Sequence, residues 1–483
     1  MEVKKDVLAF SKIERDLGLF ERTYQGFPYW QSIRFYVCES VFGETYDIWN
    51  KLGTRNKAST IHKIAKHIGS LYQGIKEYEQ MKKLKKCDII EFRYGKGSER
   101  FYDCWSLPHS ITCHVIRVSS YSQGFNPNDM YLEIPHSLNL LKKVIRYIAP
   151  QKKDIQEREF IEKLVKELKT SFGKSMTADE IEKSIMDARD WYGIYKKHYE
   201  RLFEKTKCKA LLMTCYYTDQ LFPAIEAAKK RGIVVIEMQH GVINNHEEYW
   251  FEDRRGVNNY TPDILLTFGE MHNSWIKLVK GSVPIAIGYP WQEKKIKEVS
   301  DIQTEDKTII IYPTPFALFE QILCEFADKI TEKGYIVKAK IHPGESKDVD
   351  IYYPIITKNK NIEIITDQGK GIYYWLKSAK YHVMASTTVG LEAMVFPHTE
   401  VFICESIPHD QTQCLLDWGL AEGFHDGNEL VTKILTAKEV NLEEKRKKKE
   451  MLWKPDAINN MQNFFSLMRD SKWSYANKGM IEE

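Results

Sequence analysis

The pattern of apolar and polar positions divides the chain into a helical beginning and two blocks in which short strands alternate with helices. Before residue 86, apolar residues recur about every 3.6 positions, most clearly in 61–81, which is typical of amphipathic helices. From Cys87 the pattern changes to short apolar runs. The strands predicted in the first block are 88–94, 111–118, 209–214, 233–238, 263–268 and 284–288.

A second alternating block follows a polar segment, 292–307, which reads as a linker. Its nearly continuous apolar runs are typical of parallel strands covered on both faces. The helix predicted over 224–232 is followed at once by a strand, which is the alternation of a βαβ unit. The strands predicted in the second block are 308–312, 335–341, 362–366, 381–385 and 400–404.

These patterns predict an α/β protein with two Rossmann-like, doubly wound domains and a helical N-terminal region. The first domain is expected to carry a helical insertion over 137–205, and the C-terminal helices are expected to pack back on that domain. The predicted boundaries are 1–86 for the helical N-terminal region, 87–291 for the first domain, 292–440 for the second, and 441–483 for the C-terminal helices.

Composition and charge exclude several functional classes. Hydrophobic residues make up 43% of the 483 and charged residues 28%, which is ordinary for a globular protein and excludes a disordered one. Lys and Arg number 70 against 67 Asp and Glu, a balance that argues against a dedicated nucleic-acid-binding protein. No signal peptide is expected, and no run approaches the roughly 20 apolar residues of a membrane span.

Cysteine usage and charge clusters bear on localisation. Nine cysteines are scattered without a C-x-x-C pair, which favours reduced thiols and a cytoplasmic protein. Two basic clusters, Lys82–Lys86 and Lys445–Lys449, leave peripheral contact with the inner face of the cell membrane open, since each lysine near anionic lipid contributes about 1 kcal/mol. A solvated surface is the alternative for both clusters.

No bound cofactor or metal is predicted. The loop Gly95–Arg100 has Arg100 where a dinucleotide fingerprint needs its third glycine, and no P-loop sequence is present. The segment 246–250 lacks the second histidine of a zinc-binding H-E-x-x-H motif. Gly97 in the glycine-containing loop and Arg254 remain candidates for contact with an acceptor, with solvated loops as the alternative.

The candidate chemistry lies directly after predicted strands, because open parallel sheets bind ligands beyond the carboxyl ends of their strands. His240 follows strand 233–238 and is flanked by Gln239 and Gly241. With an ordinary pKa of about 6.5, a histidine there suits removal of a proton from a hydroxyl nucleophile. The alternative is a histidine that only caps a turn.

A second histidine, His342, follows strand 335–341 and precedes Pro343 and Gly344, which favour a turn. A histidine in this position would donate a hydrogen bond to a leaving phosphate and reduce its developing charge. An ordinary turn histidine is the alternative.

Hydroxyl-bearing turns follow two further strands of the second block. Ser386, Thr387 and Thr388 lead into a helix predicted to start near Val389, and hydroxyls with the N–H groups of a first helical turn bind anions. Thr314 lies in the corresponding turn after strand 308–312. The alternative is a Ser/Thr helix cap. Glu392, one turn into the helix, is a candidate for binding a ribose diol.

In order along the chain, these motifs resemble bacterial GT-B glycosyltransferases of surface-polysaccharide synthesis. The similarity extends over about 205–405, and is greatest to the CDP-glycerol glycerophosphotransferase-like enzymes of teichoic acid synthesis and to the sialyl- and Kdo-transferases of capsule synthesis. It implies two Rossmann-like domains that face a cleft. The motifs are Met238–Gly241, Gly288–Pro290, Ile311–Pro315, Lys340–Pro343 and Ser386–Thr388 with Glu392.

The resemblance implies a role for each matching residue. His240 corresponds to the catalytic base of the family's W-H-G motif, with Gln239 in place of the tryptophan, and His342 to the histidine that contacts donor phosphate. Ser386 and Thr387 correspond to a pair of serines in the nucleotide site. The threonine and the missing Asp/Glu-Asp/Glu-Gly base motif depart from the family and argue against a sialic-acid donor. Enzymes of this type generally need no metal.

The predicted function is the transfer of a sugar, or a polyol phosphate, from a nucleotide-activated donor to a saccharide or lipid-linked acceptor. A single displacement without metal would invert a sugar carbon. Two alternatives remain at this point. One is a nucleotide-sugar 2-epimerase of the same fold, in which an S-G-G turn would be expected at Ser386–Thr388, and the other is a catalytically silent scaffold for polysaccharide assembly.

Overall fold

The fold is α/β with two doubly wound parallel sheets, as predicted from the alternation of strands and helices. In the described residues, the first four helices come from the N-terminal region and the helical insertion. The computed structural model describes residues 5–42, 78–92, 112–119, 130–133, 154–218, 221–241, 243, 249–251, 260–409, 411–437 and 442–470.

Every pair of neighbouring strands in the two sheets is parallel. The first sheet has the order β3-β2-β1-β4-β5-β6-β7 and the second β10-β9-β8-β11-β12-β13. The strands are β1 (Ile89–Phe92), β2 (Val115–Ser119), β3 (Met130–Glu133), β4 (Ala210–Met213), β5 (Val234–Met238), β6 (Ile264–Thr267), β7 (Val283–Ala286), β8 (Glu305–Tyr312), β9 (Ile336–Lys340), β10 (Ile362–Ile365), β11 (Ala379–Met384), β12 (Glu400–Cys404) and β13 (Glu422–Phe424).

In the described residues, a helix lies between β4 and β5 and between each pair of consecutive strands from β6 onward, as is usual for parallel strands. The helices that the structure describes are α1 (Lys5–Asp16), α2 (Trp30–Phe42), α3 (Ile155–Phe172), α4 (Ala178–Thr206), α5 (Phe222–Lys229), α6 (Glu270–Asn273), α7 (Pro290–Glu298), α8 (Ala317–Thr331), α9 (Val349–Tyr352), α10 (Ile372–Ser378), α11 (Val389–Ala393), α12 (Gln413–Asp417), α13 (Gly427–Thr436), α14 (Leu442–Leu452) and α15 (Ala457–Arg469). Short 3-10 helices lie at Leu19–Glu21 and Ile356–Lys358.

The order of the strands defines where ligands are expected. In both sheets the chain runs outward in one direction and then restarts on the other side of its first strand, between β1 and β4 and between β8 and β11. Ligands of open parallel sheets bind at such a switch point, outside the carboxyl ends of the strands. The loops that follow β4, β8 and β11 therefore lie at a switch point, and the loops that follow β5 and β9 are next to them.

The chain forms two compact units. The N-terminal unit comprises residues 2–268, 272–287 and 458–483, and the C-terminal unit 269–271 and 288–457. Nearly all of α15 thus belongs to the N-terminal unit, where Arg469 Nη1 donates a hydrogen bond to the carbonyl of Thr112. The preceding helix, α14, belongs to the C-terminal unit.

The helices α1 and α2 share a core with α3 and α4. Within this core the Arg34 guanidinium donates to the Glu14 carboxylate over 2.7 Å, and both side chains are about 4% exposed. Trp30 Nε1 donates to the same carboxylate over 2.7 Å. The N-terminal helices are therefore part of the N-terminal unit and not a separate body.

Part of the polar segment predicted as a linker over 292–307 is helical, and that prediction is wrong for residues 292–298. Pro290 begins α7, and Trp291 and Gln292 are buried on one side of it. Exposed ion pairs between residues three and four positions apart lie along its surface, and such pairs stabilise a helix. The many charges of this segment mark one solvated helix face.

Two edge strands were not predicted. β3 and β13 are the outermost strands on one side of each sheet, and β13 has only three residues. An edge strand pairs on one side only and needs no continuous apolar run, so neither stood out in the sequence. The helix predicted around 61–77 and the start of the insertion at 137–153 lie outside the described residues.

At the centre of the second sheet, a buried histidine and a buried tyrosine join β8 and β11. His382 is fully buried, and its Nε2 donates to the carbonyl of Ala379 over 3.1 Å. Its Nδ1 therefore accepts from the hydroxyl of Tyr312, 3.2 Å away, and the two rings stack. Burial lowers the pKa of His382 to about 4, so the imidazole is neutral at physiological pH.

The stability of the C-terminal unit is expected to fall as the pH falls from about 6.5 to about 4. Over this window the unfolded chain binds a proton at residue 382, because its pKa is about 6.5, whereas folded His382 does not. Between pH 7 and pH 5 this linkage lowers the free energy of unfolding by about 2 kcal/mol. Urea unfolding at the two pH values measures it. Between these pH values, the free energy of unfolding of His382→Gln should fall by about 2 kcal/mol less than that of the wild type. His398→Gln, at an exposed position, should behave like the wild type. Equal losses of stability in all three proteins would contradict the assignment to His382.

Candidate functional site

The predicted donor residues lie at one edge of the second sheet. β9, β8 and β11 are adjacent there, and the loops that follow them carry His342, Thr314 and Ser386–Thr388. β8 and β11 flank the switch point, where parallel sheets bind ligands. Neighbours in the sheet thus bring together residues that are far apart in sequence.

The loop after β9 holds His342 in one orientation. The side chain is exposed, and its Nδ1 accepts a hydrogen bond from the N–H of Gly344 over 3.2 Å. A nitrogen that accepts carries no hydrogen, so the neutral ring bears its hydrogen on Nε2. A side chain at position 344 would crowd Nδ1, which explains the glycine. Pro343, also exposed, accepts a hydrogen bond from Ser346 at its carbonyl, so the turn is closed and presents Nε2–H as a donor.

The hydroxyl-bearing turn after β11 is only partly buried. Ser386, Thr387 and Thr388 are half-exposed, and α11 begins at Val389 as predicted. The hydroxyl of Thr387 accepts a hydrogen bond from the N–H of Val389 over 3.4 Å, a local turn of the kind that Ser and Thr form, whereas the N-cap residue Thr388 makes no side-chain cap bond. Thr314, in the turn after β8, is half-exposed too.

Glu392, the candidate for binding ribose, is buried in α11 with 4% of its surface exposed. Burial and, secondly, the charge of Glu392 raise the pKa of Tyr312, so the carboxylate lies near the pair formed by Tyr312 and His382. At this exposure the carboxylate is not open to a ligand in the structure as it stands. The ribose contact stays a prediction.

A buried lysine at the base of the His342 loop begins the motif Lys340–Pro343, but no role of its own was predicted for it from the sequence. Lys340 is 6% exposed, and burial lowers its pKa. Its Nζ donates to Gln368 Oε1 over 2.8 Å and to the carbonyl of Asp367 over 3.2 Å. The lysine therefore joins the ends of β9 and β10, and its position inside an apolar strand was the available signal.

In the N-terminal unit, His240 follows β5 and contacts the residues that follow β4. Its Nε2 lies 3.3 Å from the Cys215 thiol and 3.3 Å from the Tyr217 hydroxyl. The ring is half-buried. Cys215 has a left-handed backbone with φ of 54°, which turns the chain sharply after β4. The structure thus holds His240 at the carboxyl edge beside the switch point of this sheet.

Gln239 supports the turn that carries His240 from the inside. Its side chain is 1% exposed, and Nε2 donates to the carbonyl of Gly241 over 2.8 Å. The same nitrogen lies 3.0 Å from His272 Nδ1, and Oε1 accepts from the N–H of Phe268 over 2.7 Å. Buried in this way, Gln239 fixes the turn, and its predicted contact with an acceptor stays a prediction. Gly241 is half-exposed.

Residues of the N-terminal helices, which no motif indicated, support the chain on either side of His240. The ring of Phe35, in α2, lies 4.7 Å from the ring of Tyr217. Arg34 donates to the carbonyl of Trp250 over 2.9 Å. The N-terminal helices therefore support both Tyr217 and the chain that follows Gly241. Such contacts depend on tertiary packing, and sequence periodicity gives no signal for them.

Several predicted residues fall outside the described part of the chain. They include the acceptor-side candidates Gly97 and Arg254 and the segment 244–248, which carries the considered metal ligands. Among the residues that the structure does describe, no group of three or more His, Cys, Asp or Glu side chains could hold a metal ion. No helix in the same described residues is long and apolar enough to cross a membrane.

No protein-family model matches the chain, and no curated protein matches it significantly. Solved structures resemble it weakly. UDP-GlcNAc 2-epimerase from Methanocaldococcus jannaschii is 14% identical with a TM-score of 0.42, over 81% of this chain and 100% of that one. UDP-N-acetylglucosamine 2-epimerase from Rickettsia bellii is 14% identical with a TM-score of 0.42, over 80% and 95%. MurG from Acinetobacter baumannii is 11% identical with a TM-score of 0.41, over 79% and 99%. The fold assignment therefore rests on the strand order of the two sheets themselves.

Proposed function

We propose that the chain is an inverting glycosyltransferase of the GT-B type. It would move a sugar, or a polyol phosphate, from a nucleotide-activated donor to a saccharide or lipid-linked acceptor. The observation that supports this best is the position of His342, Thr314 and Ser386–Thr388 after three adjacent strands at the switch point of the second sheet. These groups donate hydrogen bonds and carry no negative charge, which suits an anionic leaving group.

In the proposed mechanism, His240 accepts the proton of the acceptor hydroxyl at Nε2, the nitrogen that lies beside Tyr217 and Cys215. The acceptor oxygen forms a bond to the sugar carbon while the bond from that carbon to the phosphate oxygen breaks. The electron pair leaves on the nucleotide phosphate. His342 would donate Nε2–H to that phosphate as its charge develops.

Metal-free transfer is part of the proposal. The donor-side residues are neutral hydroxyls and a histidine, whereas magnesium is usually bound through one or two carboxylates together with the phosphates of the substrate. We therefore expect turnover to be unchanged by EDTA, and a loss of turnover that magnesium restores would contradict this part.

We propose that the protein is cytoplasmic and contacts the membrane surface. The two basic clusters, Lys82–Lys86 and Lys445–Lys449, differ in how well they suit contact with anionic lipid. Lys82, Lys83, Lys85 and Lys86 are exposed. In α14, by contrast, three basic residues pair with glutamates of the same helix, and Lys449 is buried. Exposed pairs of this kind reduce the attraction to anionic lipid, so we assign membrane contact to the first cluster.

A thermal-shift screen without metal is the first test. The screen uses CMP, CDP, UDP and GDP with their sugar or glycerol conjugates. A selective ligand at 100 times its dissociation constant stabilises the fold by about 2.7 kcal/mol. One selective shift would identify the donor class. The absence of any shift would contradict the assignment of the donor site and leave the scaffold alternative.

Product analysis then separates transfer from epimerisation. A 2-epimerase changes the configuration of the nucleotide sugar without an acceptor, and NMR spectra of the sugar ring detect this directly. A transferase releases free nucleotide when an acceptor is added. A new epimer formed without acceptor would contradict the proposed transfer.

A further inference from the structure

The loops that carry Thr314 and His342 are joined by one buried tyrosine. The Tyr353 hydroxyl lies 2.5 Å from Glu345 Oε2 and 3.1 Å from the carbonyl oxygen of Pro313. Glu345 is three residues after His342, and Pro313 immediately precedes Thr314. Tyr353 is therefore attached to both loops through a single atom.

The hydroxyl has one hydrogen and faces two acceptors. The hydroxyl shares this hydrogen between them, more strongly with the Glu345 carboxylate, which is the better acceptor and the nearer one, and more weakly with the carbonyl of Pro313. Burial, reinforced by Glu345, raises the pKa of Tyr353. The Tyr353 phenol therefore keeps its hydrogen at any physiological pH.

The segment that carries Tyr353 is itself fixed from α8. The buried Glu320 carboxylate accepts hydrogen bonds at Oε2 from the N–H groups of Ile355 and Ile356, over 2.8 and 3.1 Å. The Tyr353 side chain is fully buried, and its backbone N–H donates to Val349 over 2.8 Å. The hydroxyl thus has little freedom to follow either loop, and the loops are held to it.

The loop after β9 transmits this constraint to His342. The N–H of Glu345 donates to the carbonyl of His342 over 3.0 Å, and the N–H of Gly344 donates to its ring. Anchoring Glu345 therefore fixes the position of the His342 ring. Thr314 is one peptide unit from the anchored carbonyl of Pro313, so its position is constrained in the same way.

We propose that Tyr353 is a positioning residue that sets the separation between the two loops that bind the donor phosphates. This inference rests on the proposed nucleotide site and identifies what holds it in its binding geometry. Tyr353 holds the residues assigned to the phosphates and not those assigned to the nucleoside. Its effect on affinity should therefore depend on whether the ligand carries phosphates. Loss of its hydroxyl should weaken binding of a nucleoside diphosphate more than binding of the nucleoside.

The test compares Tyr353→Phe with Tyr352→Phe. Tyr352 is the neighbouring residue and is 41% exposed, so its variant removes a hydroxyl that joins no loops. Calorimetry measures the dissociation constants of UDP, CDP and GDP, and ligand-observed NMR titration measures those of uridine, cytidine and guanosine. For the diphosphate that the wild type binds, Tyr353→Phe is expected to weaken binding about tenfold, with the nucleoside changed less than about twofold.

Further variants and outcomes keep the test decisive. Glu345→Gln retains a hydrogen-bond acceptor but removes the charge, so it should weaken diphosphate binding by a smaller factor than Tyr353→Phe does. Near-UV circular dichroism verifies that each variant is folded. Unchanged diphosphate binding by Tyr353→Phe, or an equal loss for diphosphate and nucleoside, would overturn the positioning role. If the wild type bound none of the nucleotides, the proposed function would fail first, which is a distinguishable result.

Discussion

Replacement of His240 by glutamine is expected to reduce turnover by a factor of about 10² to 10⁴, the usual contribution of a general base. Nucleotide binding should persist, because the proposed donor residues belong to the C-terminal unit. Glutamine has a similar reach but does not accept a proton at neutral pH. Turnover is measured as acceptor-dependent release of nucleotide, and binding by calorimetry.

The matched control for this substitution is His114→Gln. His114 is an exposed histidine of the same unit, just before β2, and so at the opposite edge of the sheet from His240. Its variant should keep wild-type turnover. Two results would contradict the role of His240 as the base: turnover within a few-fold of the wild type in His240→Gln, or an equal loss in both variants.

The fold could be predicted to a large extent because both sheets are parallel and covered by helices. Strands such as β8 contain a continuous apolar run, here Ile309–Tyr312, and alternate with amphipathic helices, a pattern that few architectures share. Residues 292–298 of α7 were predicted as a linker because they contain several charges. The burial of Trp291 and Gln292 on one side of this helix depends on tertiary packing and is not visible in the sequence. The edge strands β3 and β13 gave too weak a pattern to be noticed.

The candidate site could be predicted only in part. Each strand-end turn was visible, and the sheet order brings the turns with Thr314, His342 and Ser386 to one edge. The sequence could not indicate that Gln239 and Glu392 are buried, since a polar residue beside a motif looks the same whether it faces a ligand or the core. Nor could it indicate Tyr353, whose role depends on two loops from different strands.

The motif Gly288–Pro290 illustrates the same limit, because the structure gives its glycine a packing role. Gly288 has a φ of 92° and lies against the chain between α14 and α15. A Cβ at this position would overlap the backbone oxygen of Lys454 and lie 2.6 Å from the Cβ of Ala457. The glycine therefore permits the close approach of two backbone segments within the C-terminal unit.

Substitution of Gly288 by alanine is expected to lower the free energy of unfolding of the C-terminal unit by about 3–5 kcal/mol, combining backbone strain at positive φ with overpacking. Gly334→Ala separates the two effects. Gly334 has a φ of 79°, and a Cβ there would meet only the flexible end of Lys307 at 3.7 Å. It should cost about 1–2 kcal/mol, from the left-handed backbone alone.

Urea unfolding of both variants in the intact chain measures the difference. Because Gly288 and Gly334 belong to the same unit, their losses are directly comparable. The additional loss of stability in Gly288→Ala measures the steric clash with Lys454 and Ala457. The backbone oxygen of Lys454 and the Cβ of Ala457 cannot move away, whereas the flexible end of the Lys307 side chain can. Equal losses of stability in the two variants would mean that the turn at Gly288 accommodates a Cβ without a steric penalty. The glycine of this motif would then be required by its backbone conformation and not by packing.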